Sequence, residues 1–182
     1  MQLETDHLIL REFAAEDWQD LNAYTSDPQV VQYMSFGPTT GEQARAYIEG
    51  CLTRAQEQPR RVFELALVVR AEQRVIGNAT LELDRGDPCN ASFAYVLNRH
   101  YWGHGYATEA MRALFDFGFD QLKLHRLADA CDTRNLASAR VMEKLGLRRE
   151  GHLRETFWKD GDWRDEYLYA ILAREWTRRP AG

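Results

Sequence analysis

Residues 95–114 carry the feature that most constrains this chain: Tyr-Val-Leu-Asn-Arg-His-Tyr-Trp-Gly-His-Gly-Tyr-Ala-Thr-Glu-Ala-Met-Arg-Ala-Leu. An apolar, β-prone run over 93–97 ends in a polar turn. The pair Gly103-His104-Gly105 then opens directly into a helical pattern. Strand, glycine loop and helix N-terminus in that order make an anion cradle. Glycine admits close backbone approach, and the first helical turn offers unpaired N–H donors at the positive end of its dipole. The anion that best suits such a cradle is a phosphate. A P-loop would need Gly-x-x-x-x-Gly-Lys followed by Ser or Thr, and the chain has none. A dinucleotide fingerprint would need a third glycine where Thr108 stands. Gly-x-Gly by itself is as well explained by a tight turn, so the rest of the chain must decide.

Taken in order, residues 3–13 read as a first strand and 14–24 as a helix, with Trp18 and Leu21 at buried spacing and Glu16 and Asp17 in its first turn. Asp27-Pro28 suggests a short second helix through Val30, Val31 and Met34. After the break at Phe36-Gly37-Pro38, Thr39 or Thr40 caps a helix over about 41–56. Three strands follow as an antiparallel meander, over 62–69, 75–83 and 90–97. Strict alternation in the second places Val75, Gly77, Ala79, Leu81 and Leu83 on one face, and Ile76, Asn78, Thr80 and Glu82 on the other. The helix over 105–119 has a 3.6-residue apolar stripe, and 125–131 returns as a strand parallel to the one before it. Asn135 caps a helix that ends at Gly146, and two long strands (147–159 and 163–175) turn at Asp160-Gly161.

The 182 residues suit one domain, without repeat, linker or low-complexity tract. Hydrophobic residues make up 45%, enough for a substantial core, yet no run reaches a membrane-spanning length and no secretory leader pattern opens the chain. A formal net charge of −5 argues against a nucleic-acid partner and suits a cationic substrate. Cys51, Cys89 and Cys131 are odd in number and form no metal-ligand pattern. They read as buried thiols in a reducing, cytoplasmic setting.

The pattern resembles the GCN5-related N-acetyltransferases, the GNAT superfamily, and within them the branch that acetylates ribosomal-protein N-terminal alanine or serine. The resemblance rests on residues 3–11, on 27–34, on the loop Tyr101-Trp102-Gly103-His104-Gly105-Tyr106-Ala107-Thr108-Glu109-Ala110, and on Asn135-Leu136-Ala137-Ser138 continuing through 141–146 to Glu150-Gly151. It implies an α/β fold: one mixed, mostly antiparallel sheet flanked by helices and splayed to admit acetyl-CoA. It implies further that the backbone from Trp102 and Gly103 through His104, Gly105, Tyr106 and Ala107 takes the pyrophosphate. The pantetheine arm would lie along Val96 and Leu97, where a backbone N–H polarises the acyl carbonyl. His100, Phe93-Ala94-Tyr95 and His7 depart from the family pattern, without removing a backbone donor.

Acetyl transfer needs a neutral amine, a polarised carbonyl and a proton for the leaving thiolate. The resemblance gives Ser138 the last role and Asn135 a pantetheine contact beside its helix cap; as plain residues, both could serve only the helix start. Glu82 is the base that strand alternation suggests, with Asp84, Glu150 and an ordered water as rivals, and a solvated strand residue as the plain alternative. His104 contributes its backbone, His152 a structural or rim position, and Trp102, Trp158 and Trp163 core or hairpin packing. The expected function is transfer of acetyl from acetyl-CoA, with no metal, to a primary amine. A protein N-terminus leads, ahead of a polyamine, amino acid or antibiotic. A non-catalytic acyl-CoA-binding module is the alternative of another class, and the oligomeric state stays open, a homodimer included.

Overall fold

A computed structural model describes residues 1–176. The chain opens not on one strand but on a hairpin of β1 (Gln2–Glu4) and β2 (Leu8–Glu12). Thr5 breaks the expected single strand: its N–H donates to the Leu8 carbonyl, and its Oγ1 accepts from the Leu8 N–H, both at 3.0 Å. A 3-10 turn leads into α1 (Trp18–Thr25). Residues 27–34, expected as a helix, are a run of turns. The N–H groups of Val30 and Val31 both reach the Asp27 carbonyl, and Gln29 is drawn to the Asp27 side chain. That Asx-type turn competes with helix propagation. Thr40 and Gln43 then exchange the two bonds of a capping box at the head of α2 (Gly41–Arg54).

The antiparallel meander is β3 (Val62–Val69), β4 (Arg74–Leu83) and β5 (Asn90–Leu97). Helix α3 (Tyr106–Asp120) crosses to β6 (Arg126–Asp132), parallel to β5 as expected. Helix α4 (Leu136–Lys144) precedes β7 (Arg148–Lys159) and β8 (Asp162–Leu172), whose turn has Asp160 and Gly161 at φ +51° and +80°. The eight strands run β1-β2-β3-β4-β5-β6-β8-β7 in a single sheet. One face packs Leu10, Leu65, Leu81 and Phe93 under α3 and α4, against Met111, Leu114 and Phe115. The other packs Ala66, Val68 and Val75 under α1 and α2, against Leu21, Tyr24 and Ile48.

Alternation in β4 is not strict. Leu67 pairs with Gly77 but Val68 with Val75, so Ile76 is the extra residue of a bulge. Ile76 therefore joins Ala79 and Leu81 under α3, and Val75 moves to the α1–α2 side, the reverse of the expected assignment. From Gly77 onward the expected faces hold. Gly77 itself lies so close to β5 that a Cβ there would sit 2.2 Å from the Val96 carbonyl oxygen. Two further expectations change: Cys89 is exposed rather than buried, and Trp102 is half exposed rather than in the core. Trp158 and Trp163 do pack edge-to-face across the last hairpin, at 5.5 Å between centroids.

Candidate active site

Strands β5 and β6 pair in the ladder at their first residues, Asn90 with Arg126 and Ala91 with Leu127. Beyond these the two strands diverge, and a side chain takes the place of the ladder. Asp129 Oδ2 accepts the Phe93 N–H at 2.9 Å, and its Oδ1 accepts the Ala130 N–H at 2.7 Å. Burial in this wedge pushes the Asp129 carboxyl up to about 6. The Asn98 N–H donates back to Ile76 on β4, whereas the Phe93 N–H turns toward β6. By alternation the N–H groups of Tyr95 and Leu97 face the open gap, and that of Val96 faces β4. The indole of Trp102 closes the Leu97 carbonyl at 2.9 Å, a role that apolar packing would not have suggested.

The glycine loop follows at once. Gly103 and Gly105 have φ +82° and +84°, and a Cβ on either would meet nothing within 4 Å. The loop is thus shaped by a backbone conformation that L side chains rarely adopt, with open space before it. Glu109 makes the first α-type bond of α3, to the Gly105 carbonyl at 3.0 Å. The amides of Tyr106, Ala107 and Thr108 consequently have no helical carbonyl behind them. His104 Nδ1 lies 3.0 Å from the Trp102 carbonyl, and its ring stacks on Tyr106. Glu109 fastens this end of α3 to the first hairpin, accepting from Thr5 Oγ1 at 2.6 Å and the His7 N–H at 2.8 Å.

On the far wall Asn135 Oδ1 caps α4 by accepting the Ser138 N–H at 3.1 Å. Ser138 Oγ lies 2.8 Å from Tyr95 Oη, which also donates to the Ser138 carbonyl at 3.2 Å. Burial raises the Tyr95 phenol well above its ordinary range and the nearby Cys131 thiol to about 11, so both are protonated at neutral pH. Tyr95 is the functional candidate that motif reading passed over. Alternation puts it on the α3–α4 side with Phe93, but its partner lies 43 residues further on.

Ser138, Asn135, Asp129 and Cys131 open onto a cavity of about 480 Å³ that continues over the sheet to the α1–α2 connection. Its roof includes Tyr33, Met34 and Phe36, and its floor includes Asn78, Thr80, Val96, Phe157 and Glu166. Behind it Tyr24 donates to Asn78 Oδ1 at 2.9 Å, and Tyr47 to Glu64 Oε1 at 2.9 Å. Lys159, at the tip of the last hairpin, pins the roof: its Nζ donates to the carbonyls of Val31, Met34 and Phe36 at 2.9, 2.6 and 2.6 Å.

The structure does not bring Glu82 to Ser138. Although it shares a face with Asn78 and Thr80, Glu82 is exposed and borders a separate polar depression with Asp84 and Arg126. Asp84 is occupied with its own turn, accepting the Gly86 N–H at 2.6 Å, and Glu150 is paired with Arg126. His152 pairs with Asp165 at 2.6 Å on the exposed hairpin.

A gap between parallel strands, followed by a glycine loop at a helix N-terminus, accommodates a long diphosphate-bearing cosubstrate. Residues 7–148 match the family model described as the acetyltransferase (GNAT) domain. The chain belongs to the GNAT family. Consistent with that, it is 35% identical over 177 residues to the uncharacterized N-acetyltransferase YnaD of Bacillus subtilis, covering 97% of this chain and 100% of that one. A crystal structure of a GNAT-family acetyltransferase from Bacillus anthracis is 32% identical with a TM-score of 0.86, covering 96% of this chain and all of that one. More distantly, the [ribosomal protein uS5]-alanine N-acetyltransferase of Escherichia coli is 25% identical over 97% of this chain and 93% of its own. This GNAT protein is an acetyl-CoA-dependent N-acetyltransferase. Among the described residues, no helix is long and apolar enough to cross a membrane.

Proposed function

We propose that this enzyme acetylates a primary amine that enters from the α1–α2 side of the cavity, with a protein N-terminal α-amine as the leading acceptor. One observation carries the reading: a single cavity runs from Ser138 at the strand gap to the Met34–Phe36 roof, so donor and acceptor can meet in one complex. The Escherichia coli relative lends the N-terminal acceptor its support. Against it, a volume of about 480 Å³ suits a small-molecule amine equally.

Acetyl-CoA, when bound, supplies the acyl group as a thioester. The loop from Trp102 through Gly103, His104 and Gly105 to the amides of Tyr106 and Ala107 would hold its diphosphate. The free edge of β5 at Leu97, with the Val96 side chain and Asn135, would position the pantetheine arm. Ser138 then delivers the proton that the leaving sulfur needs, and Tyr95 Oη, hydrogen-bonded to it, orients the hydroxyl and replaces its proton. The amine's own proton is not assigned to Glu82, which faces a different depression.

The test is acetyl-CoA-dependent thiol release with a panel of amines: a peptide with a free N-terminal alanine, one with serine, spermidine and an aminoglycoside. Acceptor-dependent thiol together with an acetyl group located on the amine by mass spectrometry is the expected result. Tight acetyl-CoA binding with no acceptor-dependent thiol would leave only the binding-module alternative.

A further inference from the structure

The cavity wall is electrostatically one-sided. Three carboxylates line it, Asp129, Asp132 and Glu166, and no Lys, Arg or His does among the described residues. Two of the three are already spoken for. Asp132 receives the Arg134 guanidinium through both oxygens, at 3.0 and 2.8 Å, and the Arg134 N–H at 2.8 Å. Asp129 accepts two backbone N–H groups in the strand gap. The Glu166 side chain is half-buried and makes no hydrogen bond or ion pair among the described residues. Arg164, two residues earlier on the same face of β8, is turned toward Asp162 at 3.7 Å.

Glu166 also stands in the right place. On β8 it is in register with Asp132 of β6 and Leu153 of β7, so the sheet fixes its backbone on both sides. Its side chain lines the same cavity as Asp129, Cys131 and Ser138 at the strand gap. Glu166 makes no ion pair among the described residues, not even with Arg164, whose Nε is buried without a hydrogen-bond partner, so a cationic ligand can supply its countercharge. A primary amine arrives at neutral pH as such a cation. Lys159 is spent on three roof carbonyls, and Arg134 on Asp132.

We propose that Glu166 is the acceptor-binding carboxylate: it pairs with the incoming ammonium group and takes its proton, so that the enzyme selects cationic primary amines. The inference rests on the N-acetyltransferase reading above and adds the group that reading leaves unassigned. The balance is simple. The ammonium group gives one proton to Glu166 and becomes a nucleophile. The C–N bond forms as the thioester C–S bond breaks. The second proton that leaves the nitrogen replaces, through Tyr95, the one that Ser138 delivers to sulfur, so the products are an amide, a thiol and one proton passed on to solvent from Glu166.

The experiment compares wild type, Glu166→Gln and Glu166→Asp on whichever amine of the panel the wild type acetylates fastest, with acetyl-CoA affinity measured by calorimetry. Glu166→Gln should lower kcat/KM for the amine by about tenfold or more, in KM because a charge-assisted contact is lost and in kcat because the proton acceptor is lost. Glu166→Asp should recover part of that loss, and acetyl-CoA affinity should stay within about twofold in both. Melting curves superimposable on wild type would exclude a folding defect, and Glu166→Asp carries the same comparison should the Gln variant misfold. Amine kinetics of Glu166→Gln that match wild type would overturn the assignment while leaving the acetyltransferase intact. A wild type that releases no thiol with any amine would instead remove the activity itself, and this inference with it.

Discussion

The phenolic oxygen of Tyr95 on β5 lies 2.8 Å from the hydroxyl of Ser138 on α4, across the mouth of the strand gap. A phenol so placed holds the Ser138 hydroxyl in one orientation. Ser138→Ala should therefore lower kcat by about 10²-fold, the usual span for a lost general acid. Tyr95→Phe keeps the ring and should cost less, about tenfold. Acetyl-CoA affinity, followed by calorimetry, should stay within about twofold in both variants. An unchanged rate in Ser138→Ala would remove it from the chemistry.

Gly105 tests the anion cradle. A side chain there meets open space, so the expected effect comes from φ +84° and not from collision. Gly105→Val should cost about 1–2 kcal/mol of stability from backbone strain. It should also displace the amides of Tyr106 and Ala107 and weaken acetyl-CoA binding by more than tenfold. Calorimetric affinity equal to wild type would place the diphosphate elsewhere.

Asp129 makes the fold sensitive to pH. Burial raises its carboxyl from 3.8 to about 6 in the folded chain. A raised value means that the folded state favours the protonated form. That contribution is fully present below about pH 4 and is lost as pH rises through about 6. The stability of wild type relative to Asp129→Asn should fall over this window, by at most about 3 kcal/mol. Urea titrations of the two proteins between pH 4 and pH 7 would show parallel stabilities if Asp129 were an ordinary solvated acid.

Lys159 tests the proposed acceptor side of the cavity, whose roof it holds through the 31–36 carbonyls. Lys159→Met removes three donors to the 31–36 carbonyls and should loosen the roof, at a cost of about 1–3 kcal/mol. The KM for the amine should rise while the affinity for acetyl-CoA holds. A matched rise in both would mean that the hairpin tip supports the whole fold and not the acceptor side in particular.

Much of this protein was legible in the residues themselves, because the signals are short-range. Apolar runs and 3.6-residue spacing located the meander, α2 and α3, and the Asp160-Gly161 turn located the last hairpin. The glycines of the loop had to be glycines, since each takes a positive φ. Asn135, three residues before Ser138, is the spacing that a helix cap requires. The parallel crossover followed from the strand-helix-strand order of 90–131.

Tertiary structure decided what those local rules cannot carry. One inserted residue at Ile76 exchanged the faces of Val75 and Ile76, because a bulge resets alternation from a point that no propensity marks. Divergence of β5 from β6 left Asp129, and not a backbone carbonyl, to satisfy the Phe93 amide. Strand register carried Glu82 to one depression and Glu166 to the cavity shared with Ser138, although all three are equally plain in the sequence. Chemistry here depends on which side chains converge from distant positions, and convergence is fixed by register, twist and crossover, not by the order of residues along the chain.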